Sequence, residues 1–278
     1  MIRSGLIGRS ILSSRSPWLH EQEAKAQGLA LSYELFDFTD RGLADEALDR
    51  FVKDRSLEGY AGLNVTYPFK QRVIPSLDDL SRNAAMVGAV NTIAMRDGRL
   101  VGHNTDMEGF RDSFAAGLPD AALDEVLLLG AGGAGAAVAS ALLLLGVKCL
   151  NVADADADRA CALAARLNAL LGAHRVRAVD LESLSTNQID GIVNATPIGM
   201  VAQPGLPITA DLIEPRHWVV DIVYFPVETE LLKMARAKGC ATLDGTGMVI
   251  AQAALAFEII TGHAADQQRM RRSFSSGD

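Results

Sequence analysis

The stretch GAGGAG at residues 130–135 limits what this chain can fold into more than any other. It follows DEVLLLG, an apolar run typical of a strand buried on both faces, and precedes AAVASALLLLG, which predicts a buried helix. Gly130, Gly132 and Gly135 match GxGxxG, in which the glycines permit a tight turn, approach to a pyrophosphate and close helix–strand packing. We therefore predict a dinucleotide-binding loop rather than a glycine-rich turn without a ligand. The other residues of this loop are Ala131, Gly133 and Ala134.

The next predicted strand, KCLNVAD, leads into VADADADR at residues 152–159. Asp154 ends that strand nineteen residues after Gly135, where an acidic side chain typically hydrogen-bonds the adenosine ribose. No arginine adjoins Asp154, so a 2′-phosphate would meet negative charge without a bidentate cation, and the sequence favours NAD over NADP. Arg159 is the nearby cation, about one turn into the following helix. We expect Asp158 to be solvated or to cap that helix, and for Asp156 either role is left open.

Composition excludes several classes of protein. The chain has 278 residues, 49% of them apolar, which suits one large or two smaller folded domains and not a disordered protein. A net charge of −8 disfavours a general nucleic-acid surface. The three cysteines form no CxxC pair and the five histidines show no ligand spacing, so no metal is predicted. The longest apolar stretch is too short for a membrane span, and we expect a cytoplasmic protein.

Strand-like and helix-like stretches alternate through the chain, which predicts an α/β fold with largely parallel sheets. We assign residues 1–108 to an N-terminal α/β domain and 109–244 to a Rossmann-type dinucleotide-binding domain. A long helix in GTGMVIAQAALAFEIITG returns to the first domain, so that 245–278 completes it. Asp97-Gly98 predicts a hairpin turn, and Ser16-Pro17 predicts a helix start with Ser16 as its N-cap.

Four polar clusters mark the first domain at the ends of predicted strands, where ligand groups are commonly presented. These clusters are SSRSP (13–17), NVTYPFK (64–70), AVNT (89–92) and GHNTD (102–106). Each is weak by itself, because serines near a helix start usually cap it and an Asn-Thr pair usually turns. Singly, Lys70 is a typical surface cation and Asp106 a typical helix cap. Their order along the chain is far more specific.

In that order the chain resembles the shikimate dehydrogenase family, including its quinate/shikimate dehydrogenase branch. The resemblance covers nearly the whole chain and is carried by SRSP, NVTYPFK, GAVNT, HNTD, GAGGAG, NATPIGM and GTGMVIAQA. It implies a substrate domain, a Rossmann-type cofactor domain and a C-terminal helix that returns to the first. It also implies reduction of the C3 ketone of 3-dehydroshikimate, or of the quinate counterpart, with a nicotinamide cofactor.

The resemblance implies a role for each matching residue. Lys70 and Asp106 would form the catalytic acid/base pair. The substrate carboxylate would be held by Ser14 and Ser16, and the ring hydroxyls by Thr66, Asn91 and Gln252. Tyr224 would border the substrate. The cofactor would be lined, beyond the glycine loop and Asp154, by Thr196, Val223, Gly245 and Met248. His103 is then expected to be a loop residue without a proton-transfer role.

One departure bears on the cofactor. Many NADP-using members carry an Asn-Arg-Thr/Ser stretch where this chain has Asp154-Ala155-Asp156. The missing arginine resembles the NAD-using branch, whose members often also accept quinate. Quinate-competent relatives often carry threonine at the position of Ser16, and we predict shikimate to be the better substrate here.

Other interpretations remain open at this point. They are a narrow shikimate dehydrogenase, an enzyme acting on an amino-shikimate analogue, and a non-catalytic regulator of the same fold, against which the intact Lys70 and Asp106 argue. A methylene-folate dehydrogenase would share the glycine loop but not SRSP or NTD. The expected partner is a small molecule, and the protein is expected to be a monomer or a homodimer.

Overall fold

The computed structural model describes residues 1–181 and 186–276. These residues form two compact units. The first consists of Met1–Asp106 and the segment that begins at Ile250, and the second of Met107–Val249. The sequence predicts domain boundaries at 108/109 and 244/245. Residues 182–185 of the predicted second domain and residues 277–278 of the C-terminal segment lie outside the described part of the chain.

The first unit is built on a mixed six-stranded sheet in the order β2-β1-β3-β5-β6-β4. The strands are β1 (Ile2–Gly8), β2 (Leu31–Asp37), β3 (Gly62–Val65), β4 (Asp79–Leu80), β5 (Thr92–Arg96) and β6 (Arg99–His103). β1 runs parallel to β2 and β3, whereas β5 is antiparallel to β3 and β6. The sheet is therefore less parallel than predicted. Asp97 and Gly98, with φ of 52° and 74°, form the tight turn that reverses the chain between β5 and β6.

Four helices of the first unit follow its strands or connect them. They are α1 (Ser16–Ala26), α2 (Leu48–Leu57), α3 (Phe69–Arg72) and α4 (Arg82–Val87). Ile7, Phe36 and Leu63 lie fully buried in the core on the sheet. The predicted N-cap of α1 is wrong, because Arg15 occupies the cap position without a side-chain cap bond and Ser16 is already helical. Pro17 suits the first turn, where its missing N–H has no intrahelical partner to lose.

The second unit has a six-stranded sheet in the order β12-β11-β10-β7-β8-β9, with every pair parallel. Its strands are β7 (Glu125–Leu129), β8 (Cys149–Ala153), β9 (Val176–Ala178), β10 (Gly191–Asn194), β11 (Trp218–Asp221) and β12 (Ala241–Leu243). Its helices are α5 (Asp106–Gly117), α6 (Gly133–Leu145), α7 (Ala157–Leu171) and α8 (Glu230–Ala237), and the first residue of α5 belongs to the first unit. This is the doubly wound order 3-2-1-4-5-6 of dinucleotide-binding domains, and it confirms the predicted Rossmann-type fold.

Two helices follow β12 and return the chain to the first unit: α9 (Thr246–Thr261) and α10 (Gln267–Ser276). α9 is the long helix that the sequence predicts. Its C-terminal part joins the first sheet, since Arg96 Nη2 donates to Ile259 O at 2.8 Å. Within the described residues no helix is long and apolar enough to cross a membrane. The same residues contain no group of three or more His, Cys, Asp or Glu side chains that could hold a metal ion.

Candidate active site

Lys70 and Asp106 lie side by side in the first unit. Lys70 Nζ donates to Asp106 Oδ2 at 2.6 Å, and only 18% and 8% of the two side chains are exposed. Lys70 is on the short helix α3, and its backbone oxygen accepts from Val90 N at 2.7 Å. Asp106 is the first residue of α5. The charge-assisted bond aims a partly buried ammonium, which can donate a proton to an oxygen in reach.

Asn91 connects this pair to α9. Its Oδ1 accepts from Thr105 N at 2.9 Å, and its Nδ2 donates to Thr105 Oγ1 at 2.8 Å and to Gln252 Oε1 at 3.4 Å. Thr105 precedes Asp106, so Asn91 fixes the backbone that presents the carboxylate. The structure thus brings together Lys70, Asp106, Asn91 and Gln252, four residues that the sequence predicts to share a site.

Ser14 lies in the loop between β1 and α1, and Ser16 is the first residue of α1; their hydroxyl oxygens are 3.1 Å apart. Asp37, at the end of β2, holds the start of this loop: its carboxylate accepts from Ser10 N at 3.0 Å and from Ile11 N at 2.6 Å. Burial alone would raise the pKa of Asp37, but the backbone N–H donors outweigh it and lower the pKa. Sequence reasoning missed Asp37, and the available signal was an aspartate near the end of the predicted strand LSYELFDF.

Thr66 follows β3 and is half-buried. Its backbone N donates to Ile7 O at 2.9 Å, and its backbone oxygen accepts from Phe69 N at 2.9 Å. Asn64, two residues earlier, was also missed. Its side chain accepts from Tyr33 Oη at 2.8 Å and donates to Thr92 Oγ1 at 3.0 Å, so it links β2 to β5 across the sheet.

The structure places His103 in a strand and Tyr224 in the second unit. His103 is the last residue of β6 and not a loop residue, because its backbone oxygen accepts from Asn91 N within the sheet. Burial and then Arg96 lower the pKa of His103, which favours a neutral imidazole. Tyr224 lies in the second unit, after β11, and is 40% exposed. The other predicted substrate residues all lie in the first unit.

Each of the three glycines of the predicted dinucleotide loop is suited to its position for a different local reason. Gly130 has φ of +100°, and a Cβ there would lie 2.9 Å from the Ala195 carbonyl. A Cβ on Gly135 would lie well inside 3.0 Å of Gly130 O, so only glycine lets α6 pack this closely on β7. Gly132, the N-cap of α6, has nothing within 4 Å of a Cβ. This open approach to the first turn of a long helix fits a pyrophosphate held by backbone N–H groups.

Asp154 lies one residue beyond β8, because the strand ends at Ala153. Its Oδ2 accepts from Ala131 N at 2.7 Å and its Oδ1 from Asp156 N at 2.9 Å. The carboxylate is therefore fastened to the glycine loop, the position expected of a ribose-binding acid.

The charged residues that follow Asp154 lie at the start of α7. Asp156 caps α7 by accepting from Asp158 N at 3.2 Å, and Asp158 itself is exposed and is not the cap. Arg159 Nε lies 3.2 Å from Asp156 Oδ2. The nearby cation is thus paired within its own helix turn.

A buried network supports Thr196 and Val223, two of the predicted cofactor residues. Asn194 Oδ1 accepts from Thr196 N at 3.0 Å and from Thr196 Oγ1 at 2.7 Å, while Asn194 Nδ2 donates to Asp221 Oδ1 at 3.0 Å. Asp221 also accepts from Val223 N at 3.0 Å and from Thr229 Oγ1 at 2.7 Å. Burial raises the pKa of Asp221, and these donors oppose the rise. Sequence reasoning missed Asn194 and Asp221, which end the neighbouring strands β10 and β11.

Gly245 and Met248 lie at the start of α9. Gly245 is buried with its Cα against the backbone after β11, and a Cβ there would meet Val223 O at 2.9 Å. Met248 is 8% exposed. A tight approach of this turn to the end of β11 is therefore possible only with glycine.

The chain matches known proteins in sequence. The family model "Shikimate dehydrogenase substrate binding domain" matches residues 6–93, and "Shikimate 5'-dehydrogenase C-terminal domain" matches residues 245–273. A shikimate dehydrogenase (NADP(+)) of Streptomyces avermitilis is 52% identical, covering 96% of this chain and 92% of the relative. A quinate/shikimate dehydrogenase (NAD(+)) of Corynebacterium efficiens is 48% identical, covering 98% and 97%.

Solved structures agree with these sequence matches. Quinate dehydrogenase from Corynebacterium glutamicum in complex with NAD superposes with a TM-score of 0.93 at 46% identity, covering 99% of each chain. Two relatives share about half of their residues with this chain over nearly its whole length, which shows membership of the same family and not only a common fold. The chain belongs to the shikimate dehydrogenase family.

Proposed function

We propose that this protein interconverts shikimate and 3-dehydroshikimate by hydride transfer with NAD, and that it acts more weakly on quinate. The observation that carries the proposal is the 2.6 Å contact of Lys70 with Asp106, held beside Asn91 and Gln252 in a member of this family. The intact, partly buried Lys70–Asp106 pair argues against a regulator without turnover. We assign the substrate to the first unit and the cofactor to the second.

The nicotinamide supplies the hydride, and the chain must manage the proton. In ketone reduction, the Lys70 ammonium donates its proton to the carbonyl oxygen as the carbon gains hydride, and Asp106 keeps the ammonium aimed at that oxygen. In alcohol oxidation the same pair accepts the hydroxyl proton. Ser14 and Ser16 donate hydroxyl hydrogen bonds to the substrate carboxylate, while Thr66, Asn91 and Gln252 orient the ring hydroxyls.

The names of the relatives do not decide between NAD and NADP, since the two just described differ in cofactor at 52% and 48% identity. The local charges support NAD. Both oxygens of Asp154 accept backbone N–H bonds, and Arg159 is paired with Asp156. A 2′-phosphate beside Asp154 would be repelled, whereas two ribose hydroxyls can donate to it.

The proposed preference for shikimate rests on Ser16, because the serine side chain lacks the Cβ methyl group that restricts the rotamers of threonine. Specificity constants for shikimate and quinate, each with NAD and with NADP, test both parts of the proposal. We expect shikimate with NAD to be the best of the four combinations, and Ser16→Thr to shift the ratio toward quinate. A higher value for NADP than for NAD would overturn the cofactor proposal, and a quinate value at or above that of shikimate would overturn the substrate preference.

A further inference from the structure

The C-terminal helix α10 is fastened to α1 by a buried carboxylate. The side chain of Glu23 on α1 has no exposed surface, and it accepts from Arg269 Nε and Nη2, both at 2.7 Å. Asp266 N and Gln27 Nε2 also donate to it, at 2.9 and 2.6 Å. A buried charge with four donors is satisfied only while α10 is in place, because two of its three partner residues belong to the segment that begins α10.

The other end of α10 contacts the other end of α1. Phe274 O accepts from Arg15 Nη1 at 3.0 Å, and Ser273 O accepts from Trp18 Nε1 at 3.1 Å. These oxygens belong to the last turn of α10. The Arg15 guanidinium also lies 5.7 Å from the centre of the Phe274 ring. Arg15 is the residue between Ser14 and Ser16.

We propose that α10 positions the substrate-carboxylate loop: the Glu23–Arg269 ion pair sets α10 on α1, and α10 then holds Arg15 and Trp18 so that the Ser14 and Ser16 hydroxyls converge. This inference rests on the proposed function, because it takes the two serines as the carboxylate site. Neither Arg269 nor Glu23 touches the reacting atoms, so both are positioning residues. Their effect should therefore fall on substrate binding and not on the chemical step.

The test uses the full chain with three substitutions. Arg269→Gln removes the bidentate partner of Glu23, and Arg269→Lys keeps the charge but not the fork. Arg271→Gln, at an exposed position on the same helix, is the matched control. We expect Arg269→Gln to raise KM for shikimate roughly three- to tenfold with kcat and KM for NAD unchanged. Arg269→Lys should lie between it and wild type, and Arg271→Gln should match wild type.

Trp18→Phe separates positioning from stability, because the side chain is 44% exposed and phenylalanine keeps an aromatic ring while the N–H donor is lost. We expect a higher KM for shikimate at an unchanged Tm. If Arg269→Gln lowers Tm while both it and Trp18→Phe keep the wild-type KM, α10 is only a structural brace and the inference is wrong. A wild type that oxidises neither shikimate nor quinate would instead refute the proposed function.

Discussion

The Lys70–Asp106 pair places opposite charges 2.6 Å apart where water has little access. Such a bond is stronger than an exposed ion pair, and it keeps the ammonium in one direction. The proposed chemistry thus depends on two side chains whose geometry is set by Val90, Asn91 and Thr105.

Lys70→Ala should lower kcat by about 10²–10⁴-fold, the usual worth of a positioned acid/base, while the protein stays folded. Steady-state rates at saturating substrate measure this, and circular dichroism checks the fold. Lys53→Ala is the control, since Lys53 pairs with Asp49 at 2.9 Å on the exposed face of α2. Asp106→Asn should also lose turnover, and the double variant should lose less than the product of the two. Near-normal kcat in Lys70→Ala would remove Lys70 from the mechanism.

We expect the preference for NAD or NADP also to depend on single residues. Asp154→Ala should raise KM for NAD roughly ten- to hundredfold, because the ribose loses its charged acceptor. Ala155→Arg should raise kcat/KM for NADP, since Ala155 is exposed and a guanidinium there can meet a 2′-phosphate. Asp158→Ala, at an exposed position in the first turn of α7, should change neither value. An unchanged KM for NAD in Asp154→Ala would refute the assigned role.

At the scale of elements, the glycine loop offers a matched pair of substitutions. Gly132→Ala adds a methyl group to open space beside α6, so we expect a normal Tm but a KM for NAD at least about tenfold higher, because the pyrophosphate is kept away. Gly135→Ala drives the same methyl into Gly130 O, and should destabilise the protein by about 1–3 kcal/mol. Thermal melts and NAD titrations separate the two effects. A normal KM in Gly132→Ala would mean that no phosphate approaches this loop.

Elements with a strong local pattern could be predicted from the sequence. The apolar run before Gly130 is β7, and Asp97-Gly98 turns β5 into β6. α10 was missed because its sequence QQRMRRSFSS has only Met270 and Phe274 to bury, and its position depends on Glu23, far away in the chain. α4 has only six residues, between the Ser81 cap and Gly88 in the left-handed region, too few for a period to be visible.

The candidate site was predictable to a different extent. Roles for Lys70, Asp106 and Asn91 came from the order of motifs, which the resemblance made specific. The residues that support the other predicted positions could not be assigned in this way. Asp37 accepts from Ser10 N and Ile11 N, and Asp221 accepts from Asn194 Nδ2; these are partners that only the fold brings near, and no spacing in the sequence encodes them.

For the molecule as a whole, stability should fall in mild acid. Burial lowers the pKa of His20 from its usual 6.5 to about 4. Between those values the unfolded chain binds a proton that the folded protein does not, so the stability is complete above pH 6.5 and is lost as the pH falls toward 4. From the pKa of about 4 in the fold, we expect a loss of about 2 kcal/mol in unfolding free energy between pH 7.5 and 5. Urea unfolding at both pH values measures it.

His20→Phe is the control, because a phenyl ring can keep the stack on Tyr33, now 4.8 Å between ring centres, without a titrating group. Its loss of stability between the two pH values should be smaller by that amount, and an equal loss in both proteins would contradict the assignment. Glu23 acts at lower pH. Burial would raise its pKa, but Arg269 and its other donors lower it overall. Its contribution is present above the usual value of 4.5 and is lost as the pH falls through the lowered pKa.

The first unit is interrupted in sequence, because Met107–Val249 lies between its two segments. A ribosome releases the chain from the N-terminus, so the parallel sheet of the second unit is available for pairing while Gln252, Arg269 and Phe274 have still to be made. Until then Glu23 has no guanidinium partner, and α1 lacks the contacts that α10 makes with it. The nascent protein should therefore acquire its dinucleotide-binding unit before its first unit is complete, and it should become resistant to protease in that order.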